Sequence, residues 1–134
     1  MPATTYDLTK ANGHPCEQGA DFLFKIIYWA NAAKTARVDL GGYVVKMQVR
    51  KHFTSPDPPI LDLASDGASP RITFGADPAN GEITVAIPGG VTQLLPAPFY
   101  GRYDMELQPP FSAMIRLVEG AFEITPEVTR GGGA

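Results

Sequence analysis

Alternation of apolar and polar residues with a period of two is the feature that most limits what this chain can fold into. In Tyr43-Val44-Val45-Lys46-Met47-Gln48-Val49-Arg50, one face collects Tyr43, Val45, Met47 and Val49, and the other Val44, Lys46, Gln48 and Arg50. Side chains of a strand point alternately to its two faces, so this stretch predicts a half-buried antiparallel strand. Glu82–Ile87 repeats the pattern with Ile83, Val85 and Ile87 on one face, and Tyr103–Leu107 alternates throughout. Asp21–Trp29 is apolar at both parities, which predicts a strand covered on much of both faces. Shorter strands are expected at Thr5–Leu8, Ile60–Ala64, Arg71–Phe74, Met114–Val118 and Ala121–Thr125. Between the last two, Glu119-Gly120 breaks the alternation and predicts a bulge with a left-handed glycine. Ala79-Asn80-Gly81 carries the Asn-Gly pair of a tight hairpin. Val91–Leu95, between Gly89-Gly90 and Pro96, has room for one helical turn.

The 14 glycines and 13 prolines argue against a helical bundle. The expected fold is all-β, an immunoglobulin-like antiparallel sandwich of about seven to eight strands with one short helical turn. A single domain over 1–130 carries an N-terminal arm, and the glycine-rich tail 131–134 is expected to be flexible. Tyr103, which opens an alternating strand after Gly101-Arg102, resembles the tyrosine of a sandwich corner, whose hydroxyl bonds to upstream backbone. An ordinary interior tyrosine is the other reading.

The residues offer little to catalysis. With 11 basic and 14 acidic side chains the net charge is −3, which lacks the basic footprint that nucleic acid requires. One cysteine, Cys16, excludes an internal disulfide framework and any CxxC motif. No apolar run approaches the length of a membrane span, and the N-terminus lacks signal-peptide blocks, which points to a soluble protein made in a cytoplasm. His14 and His52 have no second ligand at metal-binding spacing, and His14 with Cys16 lacks an orienting shell for nucleophilic catalysis. Asp104 and Glu106 share one strand face, where solvation explains them better than glycosidase chemistry does. Phosphate-loop, calcium-loop and Gly-x-Ser-x-Gly patterns are absent. The expectation is no enzyme, no cofactor and no metal.

Apolar residues outside the strands say more. Phe53 rides in the proline-rich stretch Lys51–Pro59, and Phe111 follows Pro109-Pro110 at a hairpin tip. An aromatic on a proline-framed loop is either a preorganised interface anchor or a cap on the end of the sandwich. Tyr6 and Leu8 in the first strand, with Val128 and Arg130 in the C-terminal segment, complete the expected interface because terminal strands can add to neighbouring sheets.

Several phrases, in order, carry a resemblance. They are Thr5-Tyr6-Asp7-Leu8-Thr9, Glu17-Gln18-Gly19-Ala20-Asp21-Phe22, Val38-Asp39-Leu40-Gly41-Gly42-Tyr43 and Met47-Gln48-Val49-Arg50. Further along come Gly81-Glu82-Ile83-Thr84-Val85, Tyr103-Asp104-Met105-Glu106-Leu107, Leu117-Val118-Glu119-Gly120 and Pro126-Glu127-Val128-Thr129-Arg130. From Thr4 to Arg130 the chain resembles small structural proteins of tailed bacteriophages, labelled tail, baseplate or fibre-associated. The sandwich resembles the N-terminal domain of phage upper baseplate proteins. Two departures fall in loops: Lys10 to Cys16 separate phrases that nearly adjoin in that family, and the segment after Arg50 is unusually proline-rich. The resemblance implies a virion protein without active-site residues, made in the host cytoplasm, that contacts copies of itself in a ring or array and other virion proteins. A capsid decoration protein and a carbohydrate-binding host-attachment module are the alternatives. The latter needs Tyr28 and Trp29 to form an exposed platform.

Overall fold

In the computed structural model, which describes residues 4–54, 56–67 and 70–127, the alternating segments stack as two sheets. The strands are β1 (Thr4–Thr5), β2 (Cys16–Glu17), β3 (Phe22–Ile27), β4 (Val44–Arg50), β5 (Leu61–Ala64), β6 (Ile72–Thr73), β7 (Glu82–Ile87), β8 (Phe99–Gln108) and β9 (Ile115–Thr125). The larger sheet has the order β1-β9-β8-β4-β5, with β2 also on β9, and the smaller has the order β3-β7-β6. The fold is a sandwich-like all-β arrangement with nine strands among the described residues.

The period-two pattern sets which side chains meet. Val45, Met47 and Val49 of β4, Tyr103, Met105 and Leu107 of β8, and Ile83, Val85 and Ile87 of β7 are all buried. Aromatic rings join the layers, with Phe22 edge-on to Phe122 at 5.7 Å and Phe24 6.5 Å from Tyr103, while Tyr103 and Phe122 meet at 6.3 Å within the larger sheet. Such offset and edge-on contacts suit the ring quadrupoles. Single-turn helix α1 (Gly89–Thr92) starts two residues before the expected turn. It is clamped to the chain ahead of β3: the Thr92 hydroxyl accepts from Gly19 N and donates to Ala20 O, and Asp21 Oδ1 accepts from Gly89 N.

Several expectations are corrected. The segments 114–118 and 121–125 form one strand, β9, with its irregularity earlier than expected. Met105 pairs with Val118 and Glu106 with Arg116, so Leu117 is the extra residue and the inward parity changes there. The Asn80-Gly81 pair closes a 3₁₀ turn at Pro78–Asn80 instead of a two-residue hairpin. Asp77 Oδ1 caps that turn by accepting from Ala79 N, and Gly81 takes φ 66° where a Cβ would press on the carbonyls of Tyr28 and Val38. β3 is covered on one face only: Phe22 and Phe24 are buried, whereas Leu23 and Lys25 are exposed.

The N-terminal segment is the largest correction, because it lies along the body and does not project from it. It runs parallel to β9, with Thr4 opposite Val118, Thr5 opposite Glu119, Leu8 opposite Phe122 and Cys16 opposite Ile124. Between Leu8 and Cys16 the chain loops out through a 3₁₀ turn at Lys10–Asn12, so the intervening residues leave the pairing on either side intact. The ladder is broken once more, at Tyr6-Asp7. Tyr6 N donates to Glu119 O and Leu8 N to Ala121 O, but Ala121 N donates to the Asp7 carboxylate, not to the Tyr6 carbonyl. That carbonyl accepts instead from the Tyr103 hydroxyl. Tyr103 has the buried ring and the hydroxyl bonded to upstream backbone that the corner reading expects. Its partner, however, lies 97 residues back, in the N-terminal segment, and not a few residues upstream as at a sandwich corner. Directly opposite Tyr103 is Gly120, where a Cβ would overlap the Tyr6 carbonyl.

Two substitutions test this junction by urea unfolding. Tyr103→Phe keeps the ring but strands a buried acceptor, and is expected to cost about 1–3 kcal/mol. Gly120→Ala is expected to cost about as much through overpacking and to expose the amides of residues 6 and 8 to hydrogen exchange. Unchanged stability and protection in both variants would remove the junction's structural importance.

Candidate interaction surface

Among the described residues Phe111 is the most exposed large apolar side chain, fully open to solvent at 106%. It sits on the loop between β8 and β9, behind Pro109-Pro110, with its backbone in the left-handed region at φ 64°. The loop is braced from within: Gln108 Nε2 donates to the carbonyls of Pro109 and Ser112. A non-glycine residue held there carries backbone strain, of order 1–2 kcal/mol for an L-residue. Met114, half exposed, stands on the same loop.

The second proline-framed aromatic behaves differently. Phe53 is half exposed and folds back over the larger sheet, its ring centroid 4.8 Å from the Arg102 guanidinium. It serves partly as a cap. Tyr6 is half-buried, stacked on Phe24 at 5.8 Å and tilted against His14 at 5.7 Å. Leu8 is wholly inside the core and presents no surface to a partner, which corrects its expected place in an interface. Its side chain packs inward because its backbone pairs with Phe122. Val128 and Arg130 lie outside the described residues.

Sequence reading passed over one feature. β3 pairs with β7 along one edge, and among the described residues no strand pairs with its other edge. Beside that edge lies a groove of about 410 Å³, lined by Thr4, Tyr6, His14, Leu23, Phe24 and Ile26 among others. The odd-numbered residues of β3 are Leu23, exposed, Lys25, exposed and 3.9 Å from Glu82, and Ile27, half-buried. A lysine on an open edge is a known obstacle to unspecific strand pairing. No local sequence signal marked this edge: that Leu23 is exposed and that the edge is open both follow from the strand order.

The residues considered for chemistry are dispersed. Cys16 is buried, and desolvation, with the charge of Glu17 adding, pushes its thiol up to about 11. A thiol so shifted is protonated and poorly nucleophilic near neutrality. Asp104 pairs with Arg116 at 3.5 Å. Its carboxyl is raised by burial and by Glu106, against the lowering effect of Arg116. Trp29 is half-buried, with Arg37 over its ring at 5.1 Å, so one face of the expected sugar platform is taken. Among the described residues no three His, Cys, Asp or Glu side chains gather closely enough to hold a metal ion. No helix among them is long and apolar enough to cross a membrane.

No family model matches the chain, and no curated protein matches it. A solved structure of Tim-1 superposes over 96% of this chain and 97% of its own, with a TM-score of 0.45 and 9% identity. A likeness that slight says nothing about function.

Two measurements check the surface. Phe111→Gly relieves the left-handed backbone and removes no core contact, so its stability should stay level or rise by up to about 1 kcal/mol. A loss beyond that size would show that the ring packs. Native protein at pH 8 should react with a thiol reagent only at the rate at which Cys16 is uncovered by opening. Because burial raises the thiol's pKa, its contribution to stability is complete below pH 9 and fades as pH climbs through about 11.

Proposed function

We propose that this chain is a non-enzymatic structural protein of a tailed-bacteriophage virion, acting in the tail, baseplate or tail-fibre attachment region by protein–protein contact. The observation that carries the contact reading is Phe111, a wholly exposed aromatic on a braced loop, held in a left-handed conformation. Strain of that kind persists where surrounding structure imposes it, and such sites are enriched at binding surfaces. A rigid aromatic loses little conformational freedom when a partner covers it, which makes it an efficient anchor. The virion assignment is supported by the ordered phrases from Thr5 to Arg130 that resemble tail and baseplate proteins.

In this reading the chain works through contacts with copies of itself and with other virion proteins, after synthesis in the host cytoplasm. The sandwich supplies a rigid body, and the loop between β8 and β9 carries the contact. Nucleic acid, membrane and cofactor have no part in it.

The test is mass spectrometry and cryo-electron microscopy of phage particles produced with the chain carrying either Phe111 or Phe111→Gly. The expected outcome is the chain in tail or baseplate density, with incorporation reduced about tenfold or more by the substitution, the range of a strong anchor residue. Absence of the chain from purified particles sinks the virion reading. Full incorporation of the variant sinks the anchor.

A further inference from the structure

The outer face of the larger sheet carries an arrangement that the assembly reading does not use. Arg50 of β4 and Arg102 of β8 are direct cross-strand partners. Like charges in that position repel each other. The neighbouring rows are mixed, with Lys46 facing Glu106 and Gln48 facing Asp104, but the third member of the arginine row, on β9, is Ala121. Asp104, the next outward residue along β8, pairs with Arg116 on β9 at 3.5 Å and is attracted more weakly by Arg50.

Both guanidinium groups are held in place. Arg50 donates through Nη1 to the Asp57 carbonyl at 2.6 Å and through Nη2 to Gln48 Oε1 at 3.1 Å. The Arg102 group lies against the Phe53 ring. Its Nε is buried and, among the described residues, has no hydrogen-bond acceptor. A buried donor without a partner is uncommon in folded proteins and implies a missing acceptor. Between the two arginines a groove of about 100 Å³ is lined by Gln48, Arg50, Phe53, Arg102, Asp104 and Glu106.

We propose that this groove binds one small oxyanion, a carboxylate or a phosphate group, received by the Arg102 fork and neutralising the facing arginines. A stacked guanidinium presents its donors in a fixed plane, the geometry that carboxylate and phosphate oxygens match. The groove has room for one such group. Asp104 and Glu106 at the rim oppose multiply charged ligands, so a singly charged carboxylate is favoured over a phosphate dianion. The inference stands on the isolated chain and is independent of any virion role.

Acetate and phosphate, titrated at constant ionic strength against a chloride control, provide the test. The readouts are the Nε–H signals of the arginines and the backbone amides of Phe53 and Asp104 in proton–nitrogen spectra. Saturable shifts with a dissociation constant on the order of millimolar are expected. They should weaken about tenfold in Arg102→Lys, which keeps the charge and loses the fork. Arg50→Lys, which leaves the Arg102 signal in place, should weaken them as well. Tighter binding of acetate assigns the site to a carboxylate and tighter binding of phosphate to a free phosphate, and either result sustains it. The proposal is overturned if neither anion exceeds the chloride control, or if both folded variants bind like the parent, which would mark an adventitious ion only.

Discussion

The bond from the Tyr103 hydroxyl to the Tyr6 carbonyl ties the N-terminal segment to the centre of the sandwich. A parallel strand laid along β9 would normally offer that carbonyl to an amide of β9. Here the amide of Ala121 has turned to the Asp7 carboxylate, so the ladder survives only because two side chains replace its missing halves. The exchange needs the backbones at Tyr6 and Gly120 to approach more closely than a Cβ permits. Leu8 then enters the core, the ladder resumes, and β9 becomes an interior strand.

That closure decides where the molecule remains open. With β9 covered by β1 and β2, the outer strands among the described residues are β1, β2 and β5 in the larger sheet and β3 and the short β6 in the smaller. The projecting loop of Phe111 lies at the end of the longest hairpin, β8 to β9. Its aromatic exposure and the arginine pair on the outer sheet face are different resources. One is apolar and rigid, suited to burial against protein; the other is charged, with one buried donor unpaired among the described residues.

Much of the strand pattern was legible. β4, β7 and β8 alternate cleanly because each buries one face, and burial selects apolar residues at every second position. β3 misled because apolar residues stand at both parities, although Leu23 and Lys25 stay exposed. Nothing local announces that Leu23 stays in solvent. The bulge was displaced for a similar reason: Gly120 looked like a bulge residue, but its missing Cβ serves the approach of Tyr6, and the parity change is absorbed at Leu117. Phe53 and Phe111 read alike in sequence, each framed by prolines. Arg102, remote along the chain, separates them by giving one ring a cation to rest on.

By itself, the sequence determined the all-β class, the inward faces of the main strands and the proline-framed loops, because periodicity and turn chemistry act between near neighbours. Tertiary structure alone decided that the N-terminal segment is an edge of the larger sheet, that Tyr103 bonds to Tyr6, and that Arg50 faces Arg102. Each of these depends on register between strands distant along the chain. Register follows from how the whole core packs, and no short stretch of residues encodes it.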